Sequence, residues 1–331
     1  MYEGKKVIDV HGHMSTPAEF RGTVANMVSQ NYPPHNMSIS DERMETAQGR
    51  HLAMLDDHSI DYQLISPRPI AMWHWMRPFM QHAWAGFVND TIAQIVRLHP
   101  DRFGGIAQLP QSRDEDSSYL VSELERGVKE LGFVGALVNP DPGADKQTPG
   151  MNEKYWYPLY EKAQELNAVL MVHPSMSNDK RLEIIPANYQ INNVTEEYIA
   201  MQLLEHGRVF DDFPKLKIFV CHGGGALHRF IETDYHRGQR DLTKNLYFDS
   251  CVLERDLLAT TIKQKTPMRM LFGTEAPGSG GAVRPENSRP SDDLVPIIAE
   301  MDFLTKQQKH AIFHDNAYEA MPLLTRKMVG E

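Results

Sequence analysis

His11 and His13 flank a single glycine where the apolar run Val7-Ile8-Asp9-Val10 ends. Side chains two apart on an extended strand point to the same face. Two imidazoles at that spacing can grip one divalent cation, and imidazole suits zinc well. Three more ligand-type residues close apolar runs further along. His173 follows Val169-Leu170-Met171-Val172, His222 follows Ile218-Phe219-Val220-Cys221, and Glu275 follows Met268–Phe272 with Gly273-Thr274 between. Read as strands, these runs put every candidate just past a C-terminal strand end, the face where parallel α/β proteins carry their chemistry.

His11, His13, His173 and Glu275 would supply three nitrogens and a carboxylate, with solvent completing the shell as in a catalytic zinc site. Manganese and iron accept similar donors. A water under such an ion has its pKa drawn down to about 7. His222 is then either a further ligand or an acid/base group, a role suited to an ordinary imidazole pKa of about 6.5. Cys221, one residue earlier on the same strand, points the other way and reads as core.

Substrate carboxylates need fixed donors, and arginine offers a two-pronged fork. Arg68, in Ser66-Pro67-Arg68-Pro69, lies just past a strand; Arg229 and Arg237 lie beyond His222. Tyr189 and Asn139 are weaker polar candidates. Met72-Trp73-His74-Trp75-Met76, with Trp84, is either helix-packed core or a flat wall for a ring.

Something must position these groups. Apolar, β-rich runs near 7–10, 62–66, 103–107, 134–138, 169–172, 217–221, 245–249 and 268–272 alternate with helix-patterned stretches such as 117–131. Ser40 and Thr305 open helices as caps. Eight such repeats predict a (β/α)₈ barrel spanning residues 1–331 as one domain. An open doubly wound sheet fits less well, because no GxGxxG follows the first strand. Residues 14–39, with Pro33-Pro34, read as a long insertion loop, as do 139–150 and 276–291, the last carrying Arg284 and Arg289.

The 331 residues carry a net charge of −10, which argues against a nucleic-acid surface but not against an anionic small molecule. No apolar run approaches the length of a membrane span. The N-terminal stretch lacks a secretory signal, and two cysteines are too few for a disulfide framework. A reduced cytoplasmic enzyme acting on a small polycarboxylate, with no membrane partner, is the expectation.

The residues also carry a family likeness. Asp9-Val10-His11-Gly12-His13, Met171-Val172-His173-Pro174, Cys221-His222-Gly223-Gly224-Gly225, Phe272-Gly273-Thr274-Glu275 and Phe313-His314-Asp315-Asn316-Ala317 resemble the amidohydrolase superfamily. The branch is that of aminocarboxymuconate-semialdehyde decarboxylase. The resemblance implies a distorted TIM barrel with one divalent metal, usually zinc. It makes His11, His13, His173 and Glu275 ligands and His222 the catalytic acid/base, and it suggests a homodimer or larger homo-oligomer.

Most of that branch has aspartate where this chain has Glu275. Glutamate there, with Ser66-Pro67-Arg68, Gly132-Phe133-Val134-Gly135 and Asn139-Pro140-Asp141-Pro142-Gly143, is similar to the subgroup acting on lignin-derived ring-fission products. Within it the chain looks most like the meta-cleavage-product hydrolases of biphenyl-type lignin catabolism. That implies a zinc-dependent carbon–carbon hydrolase releasing an aromatic acid such as 5-carboxyvanillate and a hydroxypentadienoate; from the residues themselves, Arg68 and Arg229 are expected to hold its carboxylates. No GxSxG nucleophile elbow occurs, so such chemistry would run on the metal. A hydratase of the 4-oxalomesaconate type and a non-oxidative decarboxylase are the alternatives.

Overall fold

A computed structural model describes the chain except for residues 32–37, 113–116, 175–178, 183, 186–190 and 229–244. Eight parallel strands hydrogen-bond in sequence order: β1 (Ile8–His13), β2 (Tyr62–Ser66), β3 (Phe103–Gln108), β4 (Gly135–Val138), β5 (Val169–Val172), β6 (Lys217–Val220), β7 (Leu246–Asp249) and β8 (Met270–Leu271). β2 and β5 coincide with their apolar runs. Parallel strands buried on both faces read as continuous hydrophobic stretches rather than alternating ones.

The ring closes where β1 meets the segment after β8. Val10 N donates to Phe272 O at 2.9 Å, Glu275 N to His11 O at 2.7 Å, and His13 N to Ala276 O at 3.4 Å. This seam explains two differences from the sequence reading. β1 runs on through His13 because it has partners on both sides, so both histidines lie within the strand rather than past it. β8 is only two residues long because Pro267–Arg269 forms a 3₁₀ turn and Phe272 N leaves the ladder for Ile312 O at 3.0 Å.

Helices pack outside: α1 (Ala18–Gln30), α2 (Asp41–Asp57), α3 (Pro78–Leu98), α4 (Leu120–Lys129), α5 (Tyr157–Leu166), α6 (Ile191–His206), the one-turn α7 (Val209–Asp212) and α8 (Arg255–Lys265). Short helices follow after β8. α1 corrects the expectation of a loop over 14–39. Phe20, Thr23, Val24 and Met27 are buried at helical spacing, and Asn31 ends the helix in a left-handed conformation. α4 is shorter than 117–131 because Ser117–Tyr119 is a 3₁₀ turn. Ser40 and Thr305 cap as expected, Thr305 in a full capping box with Gln308.

Two apolar layers hold the barrel. Val10, Leu64, Ile106, Leu137, Met171 and Phe219 fill its interior. Ile65, Ala107, Val138, Val172 and Val220 face outward against the helices. The interior layer ends upward in polar side chains, and these form the site.

Candidate metal centre

β1, β5 and the segment after β8 deliver His11, His13, His173 and Glu275 to one point. One donor atom from each lies within 4.8 Å of the others, and all four residues are buried. The β1–β2 register shifts between Asp9 and Gly12, a bulge that re-aims the two histidines.

Every imidazole is held by its Nδ1. His11 Nδ1 meets Asp249 Oδ2 at 2.5 Å. His13 Nδ1 meets Ser66 Oγ at 2.9 Å, and Ser66 in turn donates to Gly12 O at 2.9 Å. His173 Nδ1 donates to Pro174 O at 2.8 Å. The Nε2 atoms of His11, His13 and His173 are buried and have no hydrogen-bond partner among the described residues. That pattern fits a divalent metal, whose histidine ligands anchor one ring nitrogen on a neighbour and offer the other. Burial and the neighbouring imidazoles hold His13 well below its usual pKa and bring His173 down to about 3, so both rings keep a free lone pair. Burial acts against ionisation of Glu275, yet His222, His11 and His13 hold it below the usual carboxylate range.

His222 stands beside the cluster. Its Nδ1 lies 2.8 and 3.0 Å from the two carboxylate oxygens of Glu197 on α6, and its Nε2 lies 3.5 Å from Glu275 Oε1. Burial pulls its pKa down, but the two carboxylates outweigh that and raise it well above the usual value. His222 and Glu275 both have left-handed backbones, φ 49° and 62°. Such conformations persist in L-residues only where the surroundings impose them.

A buried clamp sets the Glu275 backbone. Asp9 accepts from His11 N at 3.0 Å, Thr274 N at 3.2 Å, Thr274 Oγ1 at 2.6 Å and Gln63 Nε2 at 2.7 Å. Gln63 Nε2 also donates to Ala276 O at 2.9 Å, while its Oε1 lies 2.7 Å from His51 Nε2. Burial pushes Asp9 up to about 6, against those hydrogen bonds. Gly12 makes room: a Cβ there would sit 2.1 Å from Gln63 Cδ.

The other sequence candidates divide. Arg68 is half-buried, its Nε donates to Met14 O at 3.1 Å, and its Nη atoms have no partner among the described residues. Asn139 follows β4 with a buried side chain. Tyr189, Arg229 and Arg237 lie outside the described residues. Arg284 is buried and donates to the carbonyls of Leu253, Pro290, Ser291 and Asp293, and Arg289 bridges Asp57 and Asp293. These two pin their loop rather than face the centre. Trp73 packs against the buried Trp84 with ring centres 4.7 Å apart and planes tilted by 43°, whereas Trp75 is exposed. Cys221 is buried in the interior layer, and burial raises its thiol well above the usual pKa.

Sequence reasoning missed Asp249, Glu197 and Gln63. Asp249 closes the run Leu246-Tyr247-Phe248 just as the histidines close theirs, a signal that was available. Glu197 sits mid-helix next to Glu196, where spacing gives no sign of His222.

The amidohydrolase family description matches residues 8–323. The chain is 34% identical to 2-keto-4-carboxy-3-hexenedioate hydratase of Sphingobium sp., covering 97% of this chain and 98% of that one. The structure of 4-oxalomesaconate hydratase from Rhodopseudomonas palustris superposes with a TM-score of 0.83, 27% identity and 96% coverage of each chain. A dihydroxybenzoic acid decarboxylase from Polaromonas sp., solved with bound manganese, shares the fold at TM-score 0.68 and 21% identity, covering 99% of this chain and all of that one. These relatives overturn the expected carbon–carbon hydrolase: the two matches at 34% and 27% identity over nearly the whole chain are hydratases, and the ligand set by itself does not distinguish the reactions.

Proposed function

The chain belongs to the amidohydrolase family, and from that premise we propose that it is a metal-dependent hydro-lyase adding water across a carbon–carbon double bond of a small unsaturated keto polycarboxylate. The observation that carries this reading is the convergence of Glu275 and three histidine Nε2 atoms, unpartnered among the described residues, beside the hydrogen-bonded His222–Glu197 pair, in a chain matching a hydratase end to end. The substrate to test first is 2-keto-4-carboxy-3-hexenedioate, named for that relative. His11, His13, His173 and Glu275 would hold a divalent ion, which would supply Lewis acidity at the centre. Zinc is the ion expected from the donors, and manganese, held by the Polaromonas decarboxylase, is the second to try.

The chain's own residues then have distinct tasks. Water adds to the carbon β to the keto group, and the carbon α to it takes a proton. His222, with Nδ1 held by Glu197, presents Nε2 to the centre and is the group placed to deliver that proton. Arg68, its Nη atoms free among the described residues, takes a carboxylate. Asn139, Tyr189, Arg229 and Arg237 are further substrate contacts to test.

Incubating the metal-loaded protein with 2-keto-4-carboxy-3-hexenedioate decides the matter. Loss of the conjugated chromophore with a product heavier by one water supports the reading. Release of carbon dioxide, or no reaction, refutes it.

A further inference from the structure

On the β3–β4 side of the barrel mouth, a second set of buried polar side chains turns inward. Gln108 shares a strand face with interior Ile106, and Asn139 shares one with interior Leu137. The loop after β2 dips against them. Met72 belongs to the interior layer, and its carbonyl accepts from Gln81 Nε2 at 2.8 Å and Gln108 Nε2 at 3.4 Å. His74 Nδ1 donates to Gln111 O at 2.8 Å, and Gln81 Nε2 reaches the same carbonyl at 3.1 Å. Gln111 pairs with the Asn139 backbone in both directions at 2.7 Å. Asn139 Oδ1 accepts from Asp141 N at 3.0 Å.

Because each partner is a backbone group of known polarity, the amide orientations and the His74 tautomer are set. What is left over is a lone pair on His74 Nε2, the oxygens of Gln81 and Gln108, and the Asn139 Nδ2 donor. All are buried and none has a partner among the described residues. Buried polar atoms are nearly always bonded, so this set points to a ligand group. Burial brings His74 down to about 4, so the set is uncharged near neutrality. Three acceptors and one donor disfavour a carboxylate and favour an O–H.

We propose that His74, Gln108 and Asn139 line a neutral subsite that binds a hydroxyl group of the polycarboxylate handled at the metal centre. This rests on the hydro-lyase reading, in which hydration creates that hydroxyl. The subsite therefore distinguishes the hydrated acid from the unsaturated one.

The test compares citrate with tricarballylate, tricarboxylates differing by one hydroxyl, on the metal-loaded protein. Calorimetry gives the dissociation constants, and metal content is measured after each titration. Wild type is expected to prefer citrate by about tenfold, the scale of one hydrogen bond. Gln108→Met removes an acceptor while keeping the shape. Asn139→Asp keeps the bond to Asp141 N and replaces the donor. Each is expected to bring the preference to about twofold or less, with metal content unchanged.

No preference in wild type overturns the subsite. So does a preference that survives in a folded variant, since the hydroxyl is then bound by the metal instead. The variants are read separately, so one that fails to fold leaves the other to decide. Turnover of 2-keto-4-carboxy-3-hexenedioate is followed in parallel. Its absence beside variant-sensitive discrimination defeats the hydro-lyase reading alone, whereas turnover beside variant-insensitive discrimination defeats the subsite alone.

Discussion

Asp249, at the end of β7, holds His11 Nδ1 at 2.5 Å, and both side chains are fully inaccessible to solvent. The same carboxylate accepts from Gly223 N and Cys251 N, each at 3.1 Å. One acid thus fixes the orientation of a candidate ligand and ties it to the turn that carries His222. Asp249→Asn removes the charge behind His11, and metal affinity is expected to fall about 10- to 100-fold. Competition against a chelator of known affinity measures it.

Removal of the metal separates ligands from the acid/base group. Dialysis against a strong chelator is expected to abolish turnover, with zinc or manganese restoring it. His173→Ala is expected to lose stoichiometric metal, whereas His222→Ala keeps it and loses turnover by about 10²- to 10⁴-fold. Elemental analysis of each purified variant, set beside its rate, checks the assignment.

Glu197 sets the pH at which His222 works. As a proton donor His222 is active when protonated, so the rate falls as pH rises through its pKa. Glu197 and Glu275 raise that pKa against the effect of burial. In Glu197→Gln the pKa drops, and the basic limb of the kcat/KM profile is expected to move at least one unit towards acid, roughly the effect of a neighbouring charge. An unmoved limb would show that another group titrates there.

Gly12 carries a steric prediction. Gly12→Ala places a methyl 2.1 Å from Gln63 Cδ, and overpacking of this kind costs about 1–3 kcal/mol. Gln63→Ala alone loses the bonds to Asp9 and Ala276. The double variant is expected to be more stable than the sum of the two changes, because the clash disappears with the side chain. Denaturant midpoints of the four proteins test this.

How much of this was legible beforehand depends on whether a residue's role is local. β2, β5 and the metal-binding candidates were readable because a buried parallel strand is an apolar run and its last residue enters the site. α1 was hidden: Pro17 provides no side-chain cap, and Pro33-Pro34 nearby suggested a loop. Glu197 and Gln63 were invisible because each meets its partner only through the folded barrel, 25 residues from His222 in one case and 54 from Asp9 in the other. The hydrolase expectation failed for a chemical reason: three imidazoles and a carboxylate can serve addition, cleavage or decarboxylation alike.

His74, which is not among the candidate metal ligands, gives a stability prediction. Burial lowers its pKa from 6.5 to about 4. The folded state therefore favours the neutral ring, so this contribution is present above about pH 6.5 and is lost as pH falls towards about 4. Between about pH 7 and about pH 4 the loss amounts to about 3 kcal/mol. His74→Phe is expected to flatten the pH dependence by that amount, whatever its stability at neutral pH. Urea unfolding at both pH values checks the slope.

The bonds from Glu275 N to His11 O and from Val10 N to Phe272 O join the earliest and latest strands of the polypeptide. During synthesis, a chain that has emerged only as far as β7 already contains three histidine donors. It lacks the strand that brings the carboxylate and shuts the ring. Closure of the ring and completion of the candidate donor set are therefore a single late event in biogenesis.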